Sequence, residues 1–340
     1  MIGIGSARSA VASPSLLAGS PWKDPGALSL NRLPVRPAGW VTCPDIRTAR
    51  AASAGASERD GGGRSESPWW MSLDGEWDFE LLARPEALKA THLGAGALAS
   101  IATVPGAWTT PGARTADLHQ RRDAVRGRTP AVPEDNPTAV YRRTIDVPAD
   151  WAGRRVVLHV GSAESMAMVY LDGAYVGFGT DSRLSCEFDL TSLVQPGRSH
   201  TLAVVVPRWS AGTWLEDQDQ WFHGGLQRSV ALYSTAATHV ATAKITGGLV
   251  AGAPRRAGTP VTGILDVDLL VEGPGCTEAG WTAAVRVETL RGRELASSTD
   301  LEVPPLGRLR PVRPTRGRDV HRVGTCANTP GGAGDHAVVG

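Results

Sequence analysis

The sequence predicts an all-β protein in which a jelly-roll sandwich is followed by an incomplete immunoglobulin-like sandwich, with irregular segments at both ends. Three observations lead to this prediction. Short segments with alternating or continuous apolar residues recur along the chain, as strands require. Tight-turn signals separate them, and Asp172-Gly173 is the clearest, because both positions of a two-residue hairpin turn need a positive φ. Helical periodicity is weak outside residues 84–93, so few helices are expected.

The N-terminal segment, residues 1–71, is predicted to be mostly disordered or extended. It consists mainly of Ala, Ser, Gly, Pro and Arg, and residues 53–68 read SAGASERDGGGRSESP, a composition typical of linkers. Residues 22–37 read WKDPGALSLNRLPVRP and are richer in apolar side chains. We expect this richer part to dock on the folded body.

Residues 72–237 carry the strand patterns of the predicted jelly roll. The stretch SLDGEWDFELL places Trp77 and Phe79 on one face and Asp78 and Glu80 on the other, which indicates a half-buried strand. Further short strands with turns between them favour an antiparallel sandwich of the jelly-roll type. The additional strand candidates lie at 140–148, 154–161, 168–179, 187–197, 201–207 and 226–234.

Residues 238–305 are predicted to form a partial immunoglobulin-like domain. Leu265, Val267 and Leu269 alternate with Asp266 and Asp268, and a similar alternation follows over 281–287. Fewer strands are visible than the roughly seven of a complete domain of this type. Residues 306–340 are rich in arginine and then in glycine and show no alternation, so we expect a disordered, out-of-frame tail there.

The charge balance and the apolar content argue against two classes of partner. Lys and Arg number 35 against 34 Asp and Glu, so the net charge of +1 provides no field that would attract nucleic acid. No apolar run approaches the roughly 18–20 residues of a membrane span. The cysteines show no metal-ligand spacing, which favours reduced thiols in a cytoplasmic protein. These cysteines are Cys43, Cys186, Cys276 and Cys326.

The candidate functional site is the loop 208–225, which reads RWSAGTWLEDQDQWFHGG and lies between two apolar strand candidates. It contains three tryptophans, a phenylalanine, three carboxylates and a histidine. Loops carried by a rigid β scaffold are where binding groups usually lie. We therefore expect this loop, called the 208–225 loop below, to contain the binding residues.

Each residue of this loop could have a purely structural role or a functional one. Glu216 and Asp217 are adjacent and point in opposite directions in extended chain, so loop hydrogen bonding is favoured over a paired-carboxylate role. Asp219 either braces the loop or binds a sugar hydroxyl and a hard cation through its oxygens. His223 is interpreted as a turn or interface residue. The tryptophans either fill the core or stack on sugars, and they are Trp209, Trp214 and Trp221.

A second stretch, Asp181-Ser182-Arg183, contains a potential nucleophile but no nearby histidine partner. Nucleophilic catalysis by serine needs an adjacent base. A structural turn is therefore the favoured interpretation of these three residues.

Five motifs give the chain a resemblance to a known family. SLDGEWDF, VPGAW, EDNPTAVYRRTIDVP, YLDGAYVGFGTDSRLSCEFDL and RWSAGTWLEDQDQWFHGGLQRSVALY stand in the order and spacing found in the N-terminal part of glycoside hydrolase family 2 β-galactosidases of the large bacterial lactase type. The resemblance covers about residues 21–305 and is strongest over 133–235. It implies that 72–237 is the family's sugar-binding domain and that 22–37 contributes to subunit contacts.

The resemblance also implies a function and its limits. Members of this family hydrolyse terminal β-D-galactosides with retention, using two glutamates on a (β/α)₈ barrel, one as acid/base and one as nucleophile. These 340 residues contain no run of alternating strands and helices that could form a barrel, so we expect no catalytic residue in the chain and no activity of the chain alone. Alternatives are a weak galactoside-binding module or the product of a degraded gene.

Site residues, cofactors and partners follow from the same resemblance. It maps the family's substrate-contacting, sodium-binding aspartate onto Asp219. Sodium and magnesium are expected in an intact family enzyme, where the remaining sodium ligands would come from the barrel. The partners implied are a β-galactoside, a barrel-containing fragment and a second copy of the chain.

One segment departs from the family pattern. Family members carry Tyr-Thr-Asn before the NPT motif, whereas residues 117–130 here read DLHQRRDAVRGRTP. Codons for Tyr-Thr-Asn-Val-Glu-Met-Pro-Phe, read out of frame, yield Leu-His-Gln-Arg-Arg-Asp-Ala-Val, which is the sequence of 118–125. The hypothesis is a compensated double frameshift over 113–128, and the segment after 305 has the same character.

Overall fold

The computed structural model describes residues 19–35, 40–54, 67–108, 130–216, 222–249, 263–274, 282–288, 294–302, 308–309, 322–328 and 336–339. Within these ranges the chain is built mainly of strands, all paired antiparallel, which confirms the all-β prediction. The two α-helices of the described part are α1 (Ile46–Ala54) and α2 (Ala90–Leu93). No helix of the described part is long and apolar enough to cross a membrane.

The strands of the described part are, in chain order, β1 (Ser29–Leu30), β2 (Trp40–Cys43), β3 (Trp70–Ser72), β4 (Gly75–Leu82), β5 (Ser100–Val104), β6 (Thr138–Asp146), β7 (Arg155–Val160), β8 (Ala167–Leu171), β9 (Ala174–Gly179), β10 (Cys186–Asp189), β11 (Ser199–Pro207), β12 (Val230–Thr235), β13 (His239–Leu249), β14 (Gly263–Glu272), β15 (Thr282–Glu288), β16 (Glu294–Glu302), β17 (Arg308–Leu309), β18 (Arg322–Asn328) and β19 (His336–Val339).

The first sandwich consists of two sheets. The larger has the order β1-β9-β8-β11-β6-β4-β5, and the smaller has the order β10-β7-β12-β3. Apolar side chains of both sheets form one buried cluster, in which Trp77, Phe188, Leu158 and Val204 are members. The β8–β9 hairpin turns at Asp172-Gly173, with φ of 50° and 78°, as the sequence predicted.

The seven-stranded sheet is also covered on its outer face. Met168, Tyr170 and Phe178 form a second buried cluster there with Trp22, which is 1% exposed. Trp22 lies in a 3₁₀-helix over Pro21–Lys23, and β1 adds an edge strand beside β9. The predicted docking of residues 22–37 on the body is thus confirmed for its described part.

The second sandwich has sheets of the order β13-β14-β17 and β16-β15-β18-β19-β2. Buried residues alternate along its strands, as in Val267, Leu269 and Val271 of β14. The sequence had indicated the alternation but not the contribution of β2, a strand taken from the N-terminal segment. Pairing of β2 with β19 brings together residues about 300 positions apart, and no local pattern signals such a pairing.

The terminal segments differ from the sequence prediction. Residues 306–340 were expected to be disordered, whereas the structure places β17, β18 and β19 there. The short runs RVGTCAN and HAVV are β-prone, and their backbone groups find partners on β15 and on each other. Helix α1 is a second difference, because the N-terminal segment was expected to be mostly disordered or extended. The four alanines and two arginines of this segment favour a helix, and Ala49 and Ala52 pack beside β2.

Candidate functional site

The 208–225 loop lies at one end of the first sandwich. It leaves β11 after Pro207, and described parts of it cover 208–216 and 222–225. The Ser165 amide donates to the Pro207 carbonyl at 3.1 Å, and the Gly225 amide donates to the Glu164 carbonyl at 3.3 Å. Both ends of the loop are therefore fixed to the connection between β7 and β8.

Trp209 fills the interior at the start of the loop. It is 2% exposed, and its ring meets Phe222 edge-on at a centroid distance of 5.2 Å. The Asn136 amide group brackets its backbone, donating to the Trp209 carbonyl and accepting from the Trp209 amide, both at 2.9 Å. Of the two roles weighed for this tryptophan, the structure favours the core role over stacking on a sugar.

Trp214 is half-buried at the end of a short 3₁₀-helix over Ala211–Trp214. Its indole N–H donates to the Ala131 carbonyl at 3.2 Å, which fixes the ring beside the chain entering β6. The neighbouring Leu215 is 85% exposed. This part of the loop presents an apolar surface to solvent.

Glu216 takes part in loop hydrogen bonding, as the sequence predicted. Its carboxylate accepts from the Ser182 amide at 2.9 Å and also from the Ser182 hydroxyl. Burial raises the pKa of Glu216 above its ordinary value, although the hydrogen bonds from Ser182 act in the opposite direction. Asp181 in turn accepts from the amides of Arg183 and Leu184 at 3.0 and 2.9 Å, so this stretch is a structural turn.

Three of the predicted candidates lie outside the described residues. They are Asp217, Asp219 and Trp221. The assignment of Asp219 as the substrate and sodium contact therefore stays a prediction. In the described ranges, no three His, Cys, Asp or Glu side chains gather into a group that could hold a metal ion.

Glu164 is the central buried group of the site, and sequence reasoning missed it. The residue is 2% exposed. Its Oε2 accepts from the backbone amides of His223 and Gly224, each at 3.1 Å, and from the side-chain amide of Gln227. Its Oε1 lies 3.5 Å from Nη2 of Arg183. The carboxylate is thus occupied by loop donors rather than free for acid/base chemistry.

Arg208 is the second buried charge of the site. It is 6% exposed, and its Nη2 donates to the Phe222 carbonyl at 3.2 Å. Its Nε and Nη1 have no hydrogen-bond acceptor among the described residues. Burial lowers the pKa of this guanidinium below its ordinary value, and the nearby Glu164 carboxylate partly opposes that shift.

Gly224 and Gly225 form the end of the loop and pack against the ring of Trp108. Their φ angles are +68° and +105°, in the region that favours glycine. A Cβ at Gly224 would lie 2.5 Å from Trp108, whose indole N–H donates to the Tyr141 hydroxyl at 2.8 Å. The Gly-Gly pair is therefore required by both conformation and space.

The two sheets and this loop form an antiparallel jelly-roll domain. Residues 70–236 match the family model described as Glycosyl hydrolases family 2, sugar binding domain. This match agrees with the coarser part of the sequence resemblance, which placed the family's sugar-binding domain over the same part of the chain.

Solved structures share the fold at low identity. A Bifidobacterium dentium β-glucuronidase complexed with coumarin-3-O-glucuronide matches at 20% identity and a TM-score of 0.58, covering 79% of this chain and 47% of its own. An uncultured Clostridium β-glucuronidase matches at 16% and 0.56, covering 79% and 44%. A glycosyl hydrolase family 2 member from Bacteroides cellulosilyticus matches at 13% and 0.58, covering 79% and 36%. The chain spans less than half of each of these proteins.

Proposed function

We propose that the chain serves in a glycoside hydrolase of family 2 that cleaves terminal β-D-galactosides. The observation that carries this proposal is the match of residues 70–236 to the family's sugar-binding domain. The galactoside is argued from the motifs of the 208–225 loop, because they resemble the β-galactosidases of the family. A β-D-glucuronide is the second candidate, favoured by the β-glucuronidases among the structures of similar fold.

In this proposal the first sandwich supplies one wall of the sugar site. Asp219 accepts a hydrogen bond from a sugar hydroxyl, and its oxygens suit sodium, a hard cation. The acid/base and nucleophile glutamates belong to a barrel, and the chain alone does not hydrolyse the substrate. A barrel-containing fragment or a second copy of the chain is the proposed partner.

Hydrolysis of two nitrophenyl glycosides tests this proposal. The 340-residue chain should release no nitrophenol from the β-D-galactoside, and a mixture with a barrel-containing family fragment should release it from the galactoside but not from the glucuronide. Activity of the purified chain alone would overturn the inactivity claim. Release only from the glucuronide would replace the proposed substrate with the second candidate.

Binding of galactose tests the assignment of Asp219 separately. In calorimetry with millimolar galactose, Asp219→Asn should abolish the heat of binding, while the matched control Asp217→Asn should retain it. A hydrogen bond to a charged acceptor contributes about 1.5–3 kcal/mol, enough to remove weak binding. Equal binding by both variants would exclude Asp219 as the sugar contact.

A further inference from the structure

We infer that Glu164 and Arg208 are positioning residues that clamp residues 222–224, the far end of the 208–225 loop, from two sides. The inference rests on the proposed function only where it predicts an effect on sugar binding. The clamp itself follows from described contacts alone.

The acceptor side of the clamp is the Glu164 carboxylate. It binds two consecutive backbone amides, those of His223 and Gly224, at 3.1 Å each. Hydrogen bonds to an ionised acceptor are about twice as strong as neutral ones. Because Glu164 is 2% exposed, water does not compete for these bonds. One carboxylate oxygen therefore fixes two successive peptide units of the loop.

The donor side of the clamp is the Arg208 guanidinium. Its Nη2 holds the carbonyl of Phe222, the residue directly before the two clamped amides. The side chain starts where the loop leaves β11, and the Arg208 amide is itself fixed to the Pro137 carbonyl at 2.9 Å. Arg208 thus ties the beginning of the loop to its end.

The backbone at the clamped end explains why two charges are buried there. Gly224 and Gly225 have positive φ, and glycine loses more conformational freedom on ordering than any other residue. Without a clamp, these two residues would let the end of the loop adopt many conformations. Burying opposite charges near each other offsets part of the desolvation cost of each.

Gln227 and Arg183 support the clamp by contacting the Glu164 carboxylate. Gln227 donates to the same Glu164 oxygen as the two amides, and Arg183 faces the other oxygen at 3.5 Å. Both side chains hold the carboxylate in its orientation toward the loop. Arg183 belongs to the turn that also binds Glu216, so one turn supports both described halves of the loop.

Hydrogen exchange of the loop amides tests the clamp in the full chain. In Glu164→Gln, the amides of His223 and Gly224 should exchange at least about tenfold faster, because a hydrogen bond to a charged acceptor is worth about that factor in a local opening equilibrium. Glu187→Gln is the matched control. Glu187 is another buried carboxylate of the sandwich, bonded to His159 and Tyr233 away from the loop. It should leave exchange at 223–224 unchanged.

Two milder variants keep the inference testable if Glu164→Gln fails to fold. Gln227→Ala removes one donor to Glu164, and Arg208→Met removes the bond to Phe222. Each should accelerate exchange over 222–224 while the strands beside the loop stay protected. Unchanged exchange over 222–224 in both variants would overturn the clamp.

Sugar affinity separates positioning from general stability. If the chain binds galactose, Glu164→Gln should weaken binding at least about tenfold, and Glu187→Gln should not, even where the two lose the same thermal stability. Equal affinity in the two variants would refute the positioning role. If the unmodified chain binds no sugar, the chain alone is not a sugar-binding module and the affinity comparison is made with the barrel-containing fragment present, whereas the exchange experiment still decides on the clamp.

Discussion

The two sandwiches bury their strands in different ways. In the first, β8 and β12 are buried at every position, so both of their faces are covered. In the second, β15 alternates between buried and more exposed residues. Continuous apolar runs are typical of fully buried strands and alternation of half-buried ones, and the sequence shows the same contrast. The first sandwich thus depends on segments that cover both faces of β8 and β12, whereas one face of β15 stays partly exposed among the described residues.

The largest effect should come from the core of the first sandwich. Trp77 is 1% exposed, and Trp77→Ala should cost about 3–5 kcal/mol of its unfolding free energy, through lost burial and the cavity left behind. Val285→Ala in β15 is the counterpart and should cost about 1–3 kcal/mol. Calorimetry should show each variant shifting a different transition. A single transition shifted by both would mean that the sandwiches unfold as one unit.

An effect of intermediate size on stability should distinguish substitution of Gly224 from substitution of Gly248. Gly224→Ala forces a Cβ into Trp108 at a φ of +68° and should destabilise the first sandwich by about 1–3 kcal/mol. Gly248 in β13 has no atom within 4 Å of a Cβ, and Gly248→Ala should stay within about 0.5 kcal/mol of the unmodified chain. Denaturant midpoints measure both, and similar shifts would contradict the packing at Trp108.

The smallest effect should be on the stability of the fold at acidic pH. At Asp172, burial acts to raise the pKa, but the hydrogen bonds from His200 and the Thr201 amide hold it below its ordinary value. At Glu288, the hydrogen bond from Arg50 is the main cause of a lowered pKa. A carboxyl with a lowered folded-state pKa stabilises the fold above its unfolded pKa of about 4, and this contribution is lost as the pH falls through the folded value.

Asp172→Asn and Glu288→Gln should therefore each flatten the loss of stability below about pH 4. The Asp172 side chain is 52% exposed, so the effect should stay below about 1 kcal/mol. Thermal melts from pH 2.5 to pH 7 measure it. An unchanged acid slope in the first sandwich of Asp172→Asn would show that the His200 contact contributes nothing to stability.

Much of the first sandwich could be predicted because its signals are local. The turn at Asp172-Gly173 and the alternation around Trp77 each need only a few neighbouring residues, and both are confirmed. Glu216 was predicted to make loop hydrogen bonds, and it does so with Ser182.

Glu164 could not be found in this way. It stands in GSAESMA without a charged neighbour, and its bonds reach 59 and 60 residues along the chain to His223 and Gly224. The strands after residue 305 were missed for a similar reason. Their runs are short, and only pairing with β15 makes them strands. Prediction from local pattern fails where the partner is distant in sequence.

The packing of Trp22 on the outer face of the seven-stranded sheet has a practical consequence for recombinant work. A domain that begins at residue 72, where the jelly-roll pattern starts, would lack Trp22, which covers Met168, Tyr170 and Phe178. An uncovered apolar face of that kind promotes aggregation. The shortest soluble version of this domain should begin before residue 21, because the boundary of the folded unit is set by what covers the sheet rather than by where its strands start.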